Sequence, residues 1–457
     1  MPKQIIIIGG GISGLSLLHY LKIKYYFQQN VQILLLEENN NLGGTIRSVK
    51  KGNYIFEVGP NGFVDSKPQT FQLIKDLNLE AELIKADSAA QLRFVSYHNR
   101  LHKFPKSIPE FFTTGLLNPL DKIRFLFEPF VAKGTNAKET IYAFGKRRIG
   151  TNFSKNFLDP MVTGIYGGKA EEIVLQEAFP VIHELEQKFG SLVKAMVQIN
   201  KYKKSGKEAP SGLPKGVIHS FKNGMEQIVQ ALGERYKENI RLNEHVLSVH
   251  FKDNQYVVNS HSAQYKADEL FISTPAYVAG KLLETLDQEL AAELNKIYYA
   301  PIALSGFIFD KSSFEKKPEG FGYLIPSAEN KEILGVLFES NIFPNRCGPD
   351  QILIRVMAGG ARHPNILERS REEILKAALE EIQNQFPFKN KPIETFFIPI
   401  HKAIPQYDIQ YTEIKTRIVN KLQKYSNLHL VANYWKGVAF NDCIESAFQA
   451  AQKSSVL

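Results

Sequence analysis

The residues with the most evident chemistry are three glycines close to the N-terminus. Gly9, Gly11 and Gly14 have the spacing G-x-G-x-x-G directly after the four isoleucines 5–8, and the apolar residues that follow recur at helical intervals. In a strand, turn and helix of this kind, Gly9 permits the turn, Gly11 lets a pyrophosphate approach the backbone, and Gly14 lets the helix pack closely on the strand. The N–H groups at the helix N-terminus then face the phosphates.

A carboxylate stands where the ribose of a dinucleotide needs a hydrogen-bond acceptor. A second apolar run, residues 32–36, ends at Glu37, which lies about 20 residues beyond the glycines. Strand, glycine turn, helix, second strand and acid together predict a dinucleotide-binding unit built on a parallel sheet.

The composition limits the remaining classes. The chain has 457 residues, 44% hydrophobic and 23% charged, which predicts a globular protein of two or three domains. Its only cysteines, Cys347 and Cys443, exclude a disulfide framework and a cysteine-based zinc site, and suit a reducing compartment. Residues 1–4 lead straight into the first strand, so we expect no signal peptide, and no apolar run has the length of a transmembrane helix.

The net charge of +9 indicates an anionic partner. Lys and Arg are spread along the chain rather than gathered in a patch with aromatic residues, so we expect no nucleic-acid partner. An anionic membrane surface or an acidic substrate fits this distribution better.

Helical patterns are predicted for residues 68–86 and over much of residues 104–200. In the second stretch, large apolar residues alternate with lysines and arginines. Such helices either bury their aromatic residues in a core or lie on a membrane interface with a basic rim. The polar, basic stretch 201–216 predicts a mobile loop or linker.

Two further motifs distinguish between dinucleotides. The pair Gly43-Gly44 precedes Arg47, and residues 59–63, Gly-Pro-Asn-Gly-Phe, end a strand in a rigid turn. In this order the pattern resembles the amine-oxidase-like flavoprotein superfamily. That resemblance implies FAD, rather than NAD, as the cofactor.

Over nearly its whole length the chain is similar to the oxygen-dependent, FAD-containing protoporphyrinogen oxidase family of haem synthesis. The similarity rests on residues 59–63, 92–95, 163–168, 299–302, 320–326, 333–338, 357–360, 404–407 and 436–444. The chain departs from the family pattern at Phe440, where a small aliphatic residue is more usual, and at Ser446-Ala447, where a glycine commonly follows the serine.

The resemblance implies a fold of three parts: an α/β FAD-binding domain, Rossmann-like and discontinuous; an α+β substrate domain; and a mainly helical membrane-facing region. The predicted FAD-binding segments are residues 1–86, 211–280 and 426–457, the predicted substrate-domain segments are 87–103 and 281–425, and the predicted helical region is 104–210.

The resemblance also implies which residues bind. The predicted FAD contacts are Gly9, Gly11, Ser13, Gly14, Glu37, Glu38, Gly43, Gly44, Thr45, Arg47, Gly59, Pro60, Asn61, Gly62, Val246, Trp435, Val438, Ala439 and Phe440. Val246 would hold the adenine through its backbone, and the helix that starts near Phe440 would direct its dipole at the flavin.

For the substrate, Arg93 would pair with a propionate, which suits a guanidinium fork. Leu324, Leu334 and Met357 would sandwich the macrocycle, and Gly167 would lie at its edge. We predict no metal site and nominate no catalytic base, because orientation against the flavin and exclusion of water suffice for hydride transfer.

The function implied by the resemblance is oxidation of protoporphyrinogen IX to protoporphyrin IX. Six hydrogens would leave in three flavin cycles with oxygen as acceptor. We expect a cytoplasmic enzyme, peripheral on the inner face of the membrane, and the sequence leaves a homodimer open.

Three alternatives stay open. Coproporphyrinogen III, with two more propionates, is the substrate of a soluble branch of the same family. A polyamine oxidase or phytoene desaturase is a second alternative, although no flavin-facing Lys or aromatic cage is identified. The third is a catalytically inactive flavoprotein that acts as a scaffold, which the intact FAD motifs disfavour.

Overall fold

The computed structural model describes residues 2–204 and 216–455. The strands are β1 (Lys3–Ile8), β2 (Val31–Leu36), β3 (Ser48–Lys51), β4 (Tyr54–Glu57), β5 (Phe63–Val64), β6 (Leu83–Lys85), β7 (Arg93–Tyr97), β8 (Arg100–Lys103), β9 (Ile218–Phe221), β10 (Ile240–Arg241), β11 (Val246–Lys252), β12 (Gln255–Ser260), β13 (Gln264–Ala267), β14 (Glu269–Ile272), β15 (Tyr299–Asp310), β16 (Gly322–Leu324), β17 (Ile333–Phe338), β18 (Gln351–Gly359), β19 (Glu394–Pro405) and β20 (Leu428–Leu430). The helices are α1 (Ile12–Lys24), α2 (Pro68–Asp76), α3 (Ile108–Thr113), α4 (Pro119–Phe127), α5 (Ile141–Arg148), α6 (Thr151–Phe153), α7 (Asp159–Tyr166), α8 (Leu175–Ala178), α9 (Pro180–Phe189), α10 (Leu192–Lys204), α11 (Glu226–Arg235), α12 (Ala276–Leu283), α13 (Gln288–Asn295), α14 (Glu339–Ile342), α15 (Arg371–Gln385), α16 (Ile409–Leu422), α17 (Asn433–Lys436) and α18 (Phe440–Lys453).

A five-stranded parallel sheet contains the glycine-rich N-terminus. Its strand order is β10-β2-β1-β14-β20, so β1 lies at the centre between β2 and β14. The four isoleucines of β1 are all buried, Ile5 and Ile7 in one hydrophobic cluster and Ile6 and Ile8 in another. Burial on both faces explains why this strand is apolar throughout instead of alternating.

The largest sheet has seven strands, in the order β19-β15-β18-β17-β16-β7-β8. Its pairs are antiparallel except for β16 and β7, which run parallel. Helix α15 packs on one face with the phenylalanines of β15 and β17. Strands β7 and β8 therefore join a sheet whose other strands all come from residues 299–405.

The described part of the stretch between β8 and β9 is mainly helical, from α3 to α10. Arg148 at the end of α5 holds it together: its buried guanidinium donates to the carboxylates of Glu186 and Glu128. None of the helices in the described chain is both long enough and apolar enough to cross a lipid bilayer.

Two local predictions were wrong. The helix predicted over 68–86 ends at Asp76, because Asn78 has a positive φ of 57° and the chain then pairs as β6 with β9, a strand more than 130 residues away. The predicted loop 201–216 begins too early, since α10 continues to Lys204; residues 205–215 lie outside the described chain.

Candidate cofactor and substrate site

The turn between β1 and α1 leaves space above its backbone. A Cβ atom built on Gly11 would meet nothing within 4 Å, whereas one on Gly14 would lie 2.0 Å from the carbonyl oxygen of Gly9. Gly9 has φ of +107°. No side chain caps the N-terminus of α1, so its first N–H groups are available to an anion. The positive φ of Gly9, the open space at Gly11 and the close packing at Gly14 are compatible with the roles predicted from their spacing.

The second glycine pair folds onto this turn. The Gly43 N–H donates to the carbonyl of Gly10 at 2.8 Å, and a Cβ on Gly44 would lie 3.6 Å from the Cα of Gly11. Thr45 and Arg47, which follow, are exposed, and Ser13 in the first turn of α1 is buried against Cys443. Burial raises the pKa of the Cys443 thiol to about 12, so that thiol is a neutral packing group.

Two hydroxyl groups at the same edge were not predicted. Ser273 and Thr274 directly follow β14, and the Ser273 N–H donates to Ile8. Within residues 2–204 and 216–455 both hydroxyl oxygens are buried without a hydrogen-bond partner. Their position after a parallel strand next to β1 is the signal that could have found them, because ligands bind at the carboxyl ends of such strands.

Glu37 is held in place at the end of β2. Its carboxylate accepts hydrogen bonds from the Gly10 N–H at 2.7 Å and from the backbone and side chain of Asn39. A carboxylate has about four acceptor positions, so one remains for a ribose hydroxyl. Glu38 is exposed and lies 3.1 Å from His245, which precedes the buried Val246 at the start of β11.

The turn Gly59-Pro60-Asn61-Gly62, between β4 and β5, is hydrogen-bonded to the seven-stranded sheet. Arg355 on β18 donates through Nη2 to the carbonyl of Gly59 at 2.9 Å and through Nη1 to the Glu339 carboxylate at 3.1 Å. The side-chain nitrogen of Asn61 is buried and, among the described residues, has no acceptor. A buried amide without a partner at this position fits a ligand with acceptor atoms.

Charges are buried behind this turn. Glu57, at the end of β4, accepts from the Ser48 hydroxyl at 2.7 Å and lies 3.4 Å from Arg346. Burial raises the pKa of Glu57 to about 7, although Arg346 opposes this shift. The turn is therefore supported by polar groups that have no access to water.

The N-terminus of α18 also has no side-chain cap. The side chain of Phe440, however, points into the core, where its ring centroid lies 5.1 Å from that of Phe63. A flavin contact of Phe440 can thus use only its backbone. The large side chain fits because it packs in the core. Trp435, Val438 and Ala439, the other predicted contacts in this segment, are partly buried or exposed beside it.

An aspartate in the first turn of α18 has a raised pKa. Burial raises the pKa of Asp442 to about 6, with Lys67 acting in the opposite direction. The folded state therefore favours its protonated form, so Asp442 costs stability as the pH rises from 3.8, its ordinary pKa, to about 6.

Four of the five predicted substrate residues lie close together where α7 meets the seven-stranded sheet, and we call this junction the slot. Gly167 ends α7 with φ of +58°, and a Cβ there would lie 3.0 Å from Ile302 and 3.6 Å from Gly360. A Cβ on Gly360 would lie 3.0 Å from Leu334. The helix and the sheet approach so closely here that only glycines fit.

The same contacts bring in the remaining two apolar residues. A Cβ on Gly335 would lie 2.8 Å from Leu324, and Gly335 pairs with Met357 across β17 and β18. Leu324, Leu334 and Met357 thus lie on three adjacent strands at one level of the sheet.

Arg93 lies on β7, beside β16, two positions along the strand from this level. It pairs in register with Gly322, two residues before Leu324, and its guanidinium carbon lies 4.9 Å from the ring centroid of Phe321. Partial burial lowers the pKa of Arg93. From β18 to β7 are three strand spacings, about 14 Å. The described residues give Arg93 no carboxylate partner, so its charge is available to a ligand.

A glycine turn at the carboxyl edge of a parallel sheet, beside a second sheet with a group of apolar residues, is typical of an oxidoreductase whose redox cofactor is a dinucleotide. The profile of the family described as "Flavin containing amine oxidoreductase" matches residues 12–453. The chain belongs to this family, and its cofactor is FAD.

The chain is similar to two curated groups of relatives and to solved structures. It is 27% identical to coproporphyrinogen III oxidase from Staphylococcus aureus, over 99% of both chains. It is 26% identical to protoporphyrinogen oxidase 1 of Arabidopsis thaliana, over 98% of this chain and 87% of the relative. A crystal structure provisionally assigned as a protoporphyrinogen oxidase, from an Exiguobacterium species, has a TM-score of 0.82 at 22% identity and covers 99% of this chain and 98% of its own.

These findings confirm the predicted resemblance, the mixed α/β fold, the FAD cofactor and the class of enzyme. The polar atoms without partners at Asn61, Ser273 and Thr274 and the open space at Gly11 fit FAD.

Two glycine substitutions should separate cofactor binding from folding. We expect Gly11→Ala to fold normally but to purify with less FAD, because its Cβ meets no protein atom and occupies cofactor space. Gly14→Ala should instead lose both stability and FAD, since its Cβ overlaps the Gly9 carbonyl. Flavin absorbance per protein and the thermal midpoint of the apoproteins are the measurements. A Gly11→Ala protein with full FAD content would contradict the assigned cradle.

Proposed function

We propose that this chain is an FAD-dependent oxidase of porphyrinogens in haem biosynthesis, with protoporphyrinogen IX as substrate and oxygen as acceptor. The observation that carries the proposal is the slot, in which Leu324, Leu334 and Met357 share one level and the available guanidinium of Arg93 comes from the strand beside Leu324. A flat apolar ring with an acidic substituent fits this arrangement. The names of the relatives support the same reaction.

FAD, when bound, accepts a hydride from the macrocycle and passes the electrons on to the acceptor. The chain's own residues orient the substrate: the apolar side chains hold the ring, and Arg93 binds a carboxylate at one end. Arg355 connects the Gly59 turn to the strand that carries Met357, so cofactor and substrate share a common support.

We infer that different segments of the chain bind the two ligands. Residues 1–86, 211–280 and 426–457 would bind FAD, and residues 87–103 and 281–425 would bind the substrate. Residues 104–210 would close the slot on one side and meet a membrane on the other. The predicted contacts around both ligands stay part of this proposal.

Coproporphyrinogen III is the second candidate substrate. It is favoured by the similarity over 99% of both chains to the relative from Staphylococcus aureus. It has two more carboxylates than protoporphyrinogen, whereas Arg93 is the one guanidinium among the five predicted substrate contacts. The exposed apolar helices described below favour the more apolar substrate.

The first test is reduction of the bound flavin without oxygen. Anaerobic addition of protoporphyrinogen IX should bleach the flavin absorbance of the wild-type protein faster than coproporphyrinogen III does. Admission of air should then restore the absorbance and produce fluorescent porphyrin. The reverse order of rates would assign the second substrate. No bleaching by either compound, in protein that contains FAD, would contradict the proposed function.

Arg93 should control substrate affinity. Arg93→Leu is expected to raise KM for the porphyrinogen roughly tenfold to hundredfold, because a charge-assisted hydrogen bond contributes about 1.5–3 kcal/mol. FAD content should not change. Lys103→Leu is the control, since Lys103 pairs with Phe94 on the opposite face of the same hairpin. Equal KM values for Arg93→Leu and the wild type would show that Arg93 does not bind the substrate.

The helical stretch carries an apolar patch, which we define as Ile108, Leu120, Ile123, Leu126, Phe127 and Phe130. Each of these residues is 52–82% exposed. Exposed Lys106, Arg124 and Lys133 lie close to them along the chain. An apolar surface with a basic rim suits an anionic lipid bilayer. We infer that the patch docks peripherally on such a membrane.

Vesicle sedimentation tests this docking. The wild-type protein should sediment with vesicles that contain phosphatidylglycerol, less with pure phosphatidylcholine, and less in high salt, which screens the charges. The double variant Leu126→Asp and Phe130→Asp should stay in the supernatant. Phe27→Asp is the control, because Phe27 is 92% exposed but follows α1 in the other part of the molecule. Sedimentation of the double variant at the wild-type level would contradict the proposal.

A further inference from the structure

A buried guanidinium lies directly behind the substrate slot. Arg362 follows β18 and donates through Nη1 to the carbonyl of Ile325 at 2.9 Å. Its Nη2 donates to the carboxylate of Asp159 at 2.9 Å and to the hydroxyl of Thr163. The side chain of Arg362 is 6% exposed and that of Asp159 is 1% exposed. Neither belongs to the predicted site.

The acceptors of this guanidinium belong to the two elements that form the slot. Asp159 and Thr163 are in α7, which ends at Gly167, and Ile325 directly follows Leu324. Arg362 itself comes five residues after Met357. One side chain therefore connects three segments, each of which carries a predicted contact with the macrocycle.

Backbone hydrogen bonds reinforce the same junction. The N–H of Ala361 donates to the carbonyl of Gly167 at 2.7 Å, and the N–H of Ser327 donates to the Asp159 carboxylate at 2.7 Å. The carboxylate thus receives the guanidinium and the end of the β16 segment together. Movement of Arg362 would change the distance between α7 and the sheet.

The pair is not arranged for stability alone. Nε of Arg362 and Oδ1 of Asp159 are both buried without a partner in the part of the chain that the structure describes. A buried ion pair with unsatisfied atoms stabilises less than apolar residues of similar volume, whereas its planar fork fixes a geometry. That geometry is the width of the slot.

We propose that Arg362, with Asp159 as its counter-ion, is a positioning residue that fixes the walls of the slot relative to the flavin. This inference rests on the proposed function, because it concerns the same slot. A lysine at position 362 would keep the charge but, as a point charge on a flexible stem, could not hold all three acceptors in one plane.

The test compares two ways of reducing the flavin in Arg362→Lys. We expect anaerobic bleaching by saturating porphyrinogen to slow about tenfold, because a displaced substrate reacts more slowly. Reduction by dithionite, which does not use the slot, and FAD content should equal those of the wild type. Arg369→Lys is the matched control, since Arg369 pairs with Glu332 at a site where both side chains are 35% exposed.

Thr163→Val is the second variant, and it is used for the same test if Arg362→Lys does not fold. It removes one acceptor without changing the volume, and a severalfold loss of the bleaching rate is expected, again with normal dithionite reduction. Wild-type bleaching in either variant, or a parallel loss of FAD and of both reduction rates, would overturn the positioning role. Absence of bleaching in the wild-type protein would instead reject the proposed function, and this inference with it.

Discussion

Both ligand sites depend on one strand, β18, and on the alternation of its side chains. Residues two apart on a strand face the same side, so Arg355, Met357 and Gly359 share a face. Arg355 holds the Gly59 turn, Met357 is one of the predicted substrate contacts, and Gly360, just beyond the strand, allows the end of α7 to approach. A shift of this strand by one residue would turn all three away from the site, because register and face change together. The pairing of β18 with β15 and β17 along most of its length prevents such a shift.

The support behind the cofactor turn is ionic, although most of the core is apolar. Glu57, Arg346, Glu339 and Arg355 are all nearly or fully buried, and burial raises the pKa of Glu57 to about 7. Each buried charge costs several kcal/mol unless it is paired. These groups fix the relative orientation of the segments that they join, because a guanidinium holds its acceptors in a plane. The same arrangement occurs at Arg362 and Asp159, at the other end of the slot. Buried charges thus connect β18 to the Gly59 turn, and connect α7 to the segments that follow β16 and β18.

The parts of the site that follow from local sequence were predictable. The glycine turn, Glu37 and the strand that begins at Arg93 each rest on spacing within one or two elements. The slot residues came from resemblance to a family, since nothing local links Gly167, Leu324 and Met357. The parallel pairing of β16 with β7 joins residues about 230 positions apart, and no periodicity indicates it. Ser273, Thr274 and Arg362 were not predicted for the same reason: their neighbours in the fold are distant in sequence. Phe440 shows the opposite case: its position in a motif was clear, but core packing decided where its ring points.

The helices between β8 and β9 face two environments, which explains their composition. At α7, in the middle of the stretch, Gly164, Gly167 and Thr163 pack against the seven-stranded sheet and Arg362. At α3 and α4, leucine, isoleucine and phenylalanine side chains stay exposed, although the ion pairs of Arg148 hold the stretch together without them. Residues that contribute little to the core have no structural reason to be large and apolar, and a monomeric protein rarely exposes such a patch without a partner. The position of the patch, on the same helical stretch that closes the slot, therefore connects the membrane proposal to the choice of protoporphyrinogen over a substrate with four carboxylates.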